Sequence, residues 1–268
     1  MGDKKYKSLQ DMLSFKGKRA LITGSAGGIG EAAAIRFAEA GADLQLVDIN
    51  LEGLEKVKNK IHEKYKVEIE IFRVDLSNKA EIDNLWETIK GREPDILVNN
   101  AGIYPFKDYE KIDESFYKKV MDINFSSIFW MCQHMITARK KKGGHIVNIG
   151  TIEAILPFEA DLVHYSLSKA AVIALSRSLA RKYGNKGFHV NVILPGGIST
   201  PGTRDKLKDA LTGEFGLIKS GIEFKWRLPA GRMGDPDEVA RMILVLSSDF
   251  ASYMYGAIVP VDGGFLST

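Results

Sequence analysis

The feature that most limits how this chain can fold is a regular alternation of short apolar runs with longer stretches of helical spacing. Arg19–Thr23, Asp43–Asp48, Val67–Val74, Asp95–Asn99, His145–Ile149, Phe188–Leu194 and Ala257–Val261 read as strands. Between them, Gly30–Ala40, Leu51–Tyr65, Lys79–Ile89, Ser115–Lys141, Tyr165–Tyr183 and Pro236–Leu246 read as helices. Strands alternating with helices build βαβ units, with right-handed crossovers and helices on both faces of a parallel sheet. The expectation is an α/β fold with a doubly wound, parallel, seven-stranded sheet. With no repeat, low-complexity tract or linker in view, residues 1–268 are expected to form a single domain, with 1–16 as a charged extension. The least regular stretch, 196–230, reads as a lid over a site.

Thr23-Gly-Ser-Ala-Gly-Gly-Ile-Gly30 lies between the first strand and the first long helix. Gly24, Gly28 and Gly30 let the backbone turn sharply and approach a pyrophosphate, and the following helix directs free N–H groups at that anion. Asp48 ends the second strand 18 residues after Gly30, where a carboxylate accepts hydrogen bonds from ribose hydroxyls and repels a 2′-phosphate. Neither Ser25 nor Ala26 offers a cation to offset that repulsion. The expected cofactor is therefore NAD rather than NADP. Asp75, followed by Leu76, comes just after the third strand and is placed to reach the adenine edge in this reading. Asn99-Asn100-Ala101-Gly102 ends the fourth strand, on the same carboxyl edge of the sheet.

Tyr165 and Lys169 stand four apart at the start of a strong helix and so share one face. A phenol titrates near ~10, and a nearby ammonium favours the phenolate, bringing the group toward working pH. Thr151, 14 residues before Tyr165, offers a hydroxyl to a substrate oxygen. Asn124, within the long helix, offers an amide to hold a water that passes protons to Lys169.

Taken in order, Thr-Gly-x-x-x-Gly-x-Gly, Asn-Asn-Ala-Gly, Tyr-x-x-x-Lys, Pro195-Gly196 and Val261-Asp-Gly-Gly264 resemble the motifs of the short-chain dehydrogenase/reductase family over roughly residues 16–268. The resemblance implies a Rossmann sheet in strand order 3-2-1-4-5-6-7. It implies Tyr165 as acid/base, Lys169 as its modulator and nicotinamide-ribose ligand, and Asn124 in a proton relay. It also implies that Ile198 and Thr200 touch the nicotinamide end. Gly24, Ser25, Gly28, Ile29, Gly30, Asp48, Asp75 and Leu76 are the expected cofactor residues of the first half. Asn100, Ala101, Gly102, Pro195 and Gly196 join Tyr165, Lys169, Ile198 and Thr200 in the second. A homotetramer built through the long helices and the last strand is the implied assembly. One position departs from the family. Its usual Ser stands about 13 residues before the Tyr, where this chain has Ile152, so Thr151 takes that role through a one-residue offset.

Glu153, Glu159, Asp161 and His164 cluster between Thr151 and Tyr165. Carboxylates only accept hydrogen bonds, which suits the hydroxyls of a sugar, polyol or sugar acid, and Glu153, Glu159 and His164 are the expected substrate residues. Leu162-Val-His-Tyr165 is similar to the corresponding stretch of glucose-type sugar dehydrogenases. The lid segment points elsewhere. Its Arg204, Lys206, Lys208, Lys219, Lys225 and Arg227 suit an anionic substrate, and Phe215, Phe224 and Trp226 an apolar one, as in 3-oxoacyl reductases. A non-catalytic NAD-binding scaffold is the alternative from another class.

The totals narrow the remaining classes. An apolar share of 45% is ample for a buried core. The net charge of +3 is scattered, and no basic stripe interleaves with aromatics, so no nucleic-acid partner is expected. Arg139-Lys-Lys-Lys142 reads as a solvated helix end stopped by Gly143-Gly144. Cys132 is the only cysteine, which excludes an intrachain disulfide and suits a reducing, cytoplasmic setting. The charged start lacks the apolar core of a signal peptide, and no apolar run approaches the ~20 residues that cross a bilayer. No membrane partner and no metal site are expected.

Overall fold

The computed structural model describes residues 6–200 and 226–268. The seven strands are β1 (Arg19–Thr23), β2 (Asp43–Asp48), β3 (Ile69–Arg73), β4 (Ile96–Asn99), β5 (Gly144–Ile149), β6 (Phe188–Pro195) and β7 (Ile258–Val261). They form one sheet in the order β3-β2-β1-β4-β5-β6-β7, parallel throughout. Ile22 of β1 lies between Leu46 of β2 and Val98 of β4, so the sheet is built outward in both directions from this central strand. This is the Rossmann order implied by the resemblance.

Strand residues alternate between the two faces, and each face has its own core. Ala20, Ile22, Leu44, Leu46, Val98 and Ile149 pack against α2 (Gly28–Glu39), α3 (Leu51–His62) and α8 (Pro236–Leu246). Leu21, Val47, Leu97, Ile146 and Val192 pack against α4 (Lys79–Thr88), α6 (Ser127–Ala138) and α7 (Val163–Tyr183) on the other face. Helix starts follow local chemistry. Asn50 and Asn78 cap α3 and α4, and Asp235 and Glu238 form a capping box with Pro236 in the first turn of α8. Among its described residues the charged lead-in holds one short helix, α1 (Leu9–Met12), and is anchored by Phe15, whose ring meets Phe37 edge-on.

Two elements differ from expectation. The helix expected over 115–141 is α5 (Glu114–Met121), a π-turn over Asp122–Ser126, and then α6. The basic run after α6 is only partly solvated. Arg139 turns inward and donates to Asp95 at 2.7 Å, while Lys140, Lys141 and Lys142 stay exposed and Gly143 adopts the left-handed conformation that reverses the chain. Of the expected lid, residues 201–225 lie outside the described residues, as do 1–5. No helix among the described residues is long and apolar enough to cross a membrane.

Candidate active site

Strand order reverses between β1 and β4, and ligands of open α/β sheets bind in the crevice beyond the carboxyl ends of such strands. The two chain segments leaving this point are tied together. Thr23 Oγ1 accepts from the Asn100 and Ala101 N–H groups at 3.0 and 3.1 Å, and the Asn100 amide donates to the carbonyls of Thr23 and Gly24 at 2.9 and 3.0 Å. Asn100 thus holds the glycine loop from behind. The loop admits nothing larger than glycine at two points. A Cβ on Gly24, itself at φ +65°, would stand 2.8 Å from Ala101 Cα, and one on Gly30 would stand 2.1 Å from the Gly24 carbonyl oxygen. Ser25 is fully buried with its hydroxyl on the Val47 carbonyl, so its side chain turns into the fold and not toward a ligand. Leu76 likewise belongs to the core, while Ile29 lies partly buried against the opposite face.

Asp48 is half-buried at the end of β2. Its Oδ2 accepts from Ala26 N–H at 3.1 Å and its Oδ1 from Asn50 N–H at 2.9 Å, which fixes the carboxylate beside the glycine loop and leaves lone pairs for a further donor. Asp75 is held below the usual carboxylate range by the Ser77 hydroxyl and N–H, both on its Oδ1. After β6, Pro195 and Gly196 run against the C-terminal motif. Gly196 N–H donates to Val261 O at 3.0 Å, and a Cβ there would stand 2.8 Å from Asp262 Cα. Ile198 is buried and bridged to Gly234, and Thr200 lies over the glycine loop, its methyl 3.4 Å from where a Gly28 Cβ would stand.

Tyr165 and Lys169 lie near the N-terminal end of α7, which is pinned to the sheet through Ser176. The Ser176 hydroxyl accepts from the Asn148 amide at 2.9 Å, and the Asn148 carbonyl oxygen accepts from Asn99 at 2.8 Å. Thr151, at the turn after β5, is hydrogen-bonded through its side chain to the Tyr165 phenol. Lys169 is buried, and its Nζ donates to the Ile149 carbonyl at 2.8 Å. Asn124 lies in the π-turn, a rare winding that is frequent at functional sites. Its amide exchanges two 2.8 Å bonds with the Ile103 backbone and donates to Ser168 Oγ at 3.2 Å. A Cβ on Gly102 would stand 3.2 Å from Asn124 Oδ1 and 3.3 Å from Lys169 Nζ, so three of the expected residues converge on one point.

The electrostatics correct one expectation. Burial pushes the Tyr165 phenol up to about 12, against the opposing bond from Thr151, and Tyr104 and Glu153 push it further. Burial alone lowers Lys169 to about 8. The groups that set the phenol here are burial, Thr151, Tyr104 and Glu153, while the Lys169 ammonium donates to the Ile149 carbonyl. Tyr104, whose ring centre is 6.1 Å from that of Tyr165, is a site residue that sequence reading missed. Only its place two residues past the Asn-Asn-Ala-Gly motif could have marked it.

The three expected substrate residues separate. Glu153 is 4% exposed, its charge acts on Tyr165, and burial pushes its carboxyl up to about 7. Glu159 is half-buried on the same segment. His164 points away from the phenol. Its Nε2 meets the Pro105 carbonyl at 2.7 Å and its ring stands edge-on to Phe116, because successive helical residues diverge by about 100°. It clamps the 103–107 segment and is not a substrate ligand in this arrangement.

The assembled residues fit a nicotinamide dinucleotide. Its pyrophosphate suits a loop where a Cβ would collide with backbone, and its ribose hydroxyls suit the free lone pairs of Asp48. The Lys169 ammonium has three donors, and one is bonded among the described residues. Comparison with known proteins agrees. The family model described as enoyl-(acyl carrier protein) reductase matches residues 24–266. A 2-dehydro-3-deoxy-D-gluconate 5-dehydrogenase of Bacillus subtilis is 34% identical, with 97% of this chain and 98% of the relative covered. A 3-oxoacyl-(acyl-carrier-protein) reductase of Thermotoga maritima is 31% identical, covering 95% and 100%. The L-sorbose reductase of Gluconobacter frateurii, solved with NADPH and L-sorbose, superposes with a TM-score of 0.89 at 29% identity, covering 96% of this chain and 99% of that one. The glycine loop, the Tyr165/Lys169 helix and these relatives together make this chain an oxidoreductase of the short-chain dehydrogenase/reductase family.

Proposed function

We propose that the protein interconverts a secondary alcohol or hemiacetal and its carbonyl on a sugar, polyol or sugar acid, with NAD as the cofactor. The observation that carries the reading is the meeting of Tyr165, Thr151 and buried Lys169 at the carboxyl edge of the sheet. The nicotinamide, when bound, supplies the hydride acceptor or donor. The chain's own residues handle the proton. The Tyr165 phenol keeps its proton across neutral pH and is positioned as the acid for a carbonyl oxygen, and Thr151 gives the same oxygen a second hydrogen-bond partner. Lys169, charged below about pH 8, supports the phenolate that proton transfer leaves behind. Asn124 holds the Ile103 backbone beside Lys169 and keeps the relay in place.

Asp48 supports NAD, since its fixed carboxylate favours a ribose diol over a 2′-phosphate. The dehydrogenase and sorbose reductase relatives support the sugar class, and the acyl-carrier-protein reductase relative favours 3-oxoacyl reduction as the second reading. A non-catalytic NAD-binding scaffold is what remains if both fail. We also infer one domain, a homotetramer, and a cytoplasmic setting that suits the buried, unpaired Cys132. A small molecule is the expected partner, with no role for nucleic acid or membrane.

The test is the rate of NADH formation across aldoses, polyols, sugar acids and secondary alcohols, with NADP in parallel and 3-oxoacyl reduction as a control. A clear rate on a polyhydroxylated substrate with NAD is expected, and Asp48→Ala should narrow the preference for NAD over NADP. A wild type that prefers NADP would remove the ribose argument. Turnover only of 3-oxoacyl substrates would replace the sugar reading.

A further inference from the structure

Glu153 is a buried carboxyl whose surroundings do not complete it. It sits on the short turn Ile152–Ala154 directly after Thr151, and its own N–H donates to Thr151 Oγ1 at 3.3 Å. Oε2 accepts from Phe158 N–H at 3.2 Å, and the Glu159 N–H also bears on the carboxyl. Oε1 is enclosed and has no hydrogen-bond partner. A buried acceptor left in this state costs about 1–3 kcal/mol, more when charged, and a glutamine would serve the Phe158 N–H equally well. The position therefore carries a penalty that its packing role does not require. The penalty disappears when a donor arrives from outside the chain, and the carboxyl follows directly on Thr151, which bonds the Tyr165 phenol, near enough for its charge to act on that phenol.

We propose that Glu153 is the specificity-determining residue of this site, accepting through Oε1 a hydroxyl of the substrate close to the reacting carbon. Substrates with a neighbouring hydroxyl are thereby selected over monofunctional alcohols and over those presenting a carboxylate at that point. This rests on the alcohol–carbonyl reading above and deepens it, since the rule concerns which polyhydroxylated molecules are taken.

Among the described residues, the titratable groups that act on Glu153 are few. After burial, the Phe158 and Glu159 N–H groups pull it down and the Glu159 carboxylate pushes it up, and its own charge acts on Tyr165 of α7. The C-terminal turn Phe265–Ser267, which meets Phe158 ring to ring, carries no ionisable side chain. Burial holds the free carboxyl at about 7, whereas a donor bonded to the charged form lowers it. Binding of a hydroxylated substrate therefore favours ionised Glu153, and affinity rises as pH rises through about 7.

The experiment measures calorimetric binding and steady-state KM of a hexitol and of 2-hexanol, with NAD present, from about pH 6 to about pH 8. Wild type, Glu153→Gln and Glu153→Met are compared, with thermal melting to report folding. The wild-type affinity for the hexitol is expected to rise with pH. Glu153→Gln should cut the hexitol-to-2-hexanol affinity ratio by roughly ten- to a hundredfold and flatten the profile, the range for a hydrogen bond to a charged group. An unchanged ratio, or a pH profile that persists in Glu153→Gln, overturns the proposal, as does a wild type whose hexitol affinity ignores pH. Hexitol that binds with this signature but is never oxidised leaves Glu153 standing and defeats the polyol reading. Hexitol that is oxidised without the signature does the reverse.

Discussion

At Tyr165 burial and hydrogen bonding pull in opposite directions, and burial prevails, holding the proton on the phenol up to about 12. The residue that opposes it is Thr151, whose hydroxyl is the phenol's partner and the proposed second contact for a substrate oxygen. Removing that hydroxyl while keeping the shape, as in Thr151→Val, should lower kcat by roughly 10²–10³ with little change in cofactor affinity, whereas Thr151→Ser should retain activity. Stopped-flow and steady-state rates on the three proteins check this; a Thr151→Val enzyme at full rate would show that the hydroxyl takes no part. Much of this site was legible in the sequence. Tyr165 and Lys169 were readable because helical spacing alone puts them on one face, and Thr151 because only a one-residue offset separates it from the family position. What was not legible depends on where side chains turn. Ser25 faces Val47, His164 reaches Pro105, and Lys169 donates to Ile149, and none of these directions follows from spacing.

Among the elements, the strands were the readable part, because continuous apolar runs between helical stretches leave a parallel sheet as the simple solution. The π-turn at Asp122–Ser126 was not readable, since five residues of wider winding barely disturb a 27-residue periodicity. Its effect is local and large, because it brings Asn124 to the Ile103 backbone and Ser168. The same helices leave apolar side chains uncovered. Val163 and Leu167 on α7 are 45% and 51% exposed, Phe129 on α6 is 37% exposed, and β7 is an edge strand with Ile258 outward. An unpaired edge and an apolar helix face are what association between copies covers. Sedimentation should therefore give a tetramer for the wild type and a smaller species for Leu167→Glu. A monomeric wild type, or a variant of unchanged mass, would contradict this use of the α7 face.

In the whole molecule, the two halves of the sheet divide the work. The β1–β2–β3 side carries the glycine loop, Asp48 and Asp75, and the β4–β5–β6 side carries Asn100, Thr151 and the Tyr165/Lys169 helix. They meet where strand order reverses, joined by the bonds between Thr23 and Asn100. In the proposed mechanism, proton transfer by Tyr165 should therefore be separable from cofactor binding. The measurement that tests this most directly compares Tyr165→Phe with wild type for NAD binding by protein-fluorescence quenching and for turnover of the best substrate. The account predicts that kcat falls by roughly 10²–10⁴ while NAD affinity stays within about twofold. Turnover at the wild-type rate in Tyr165→Phe, with NAD bound as tightly, would contradict it.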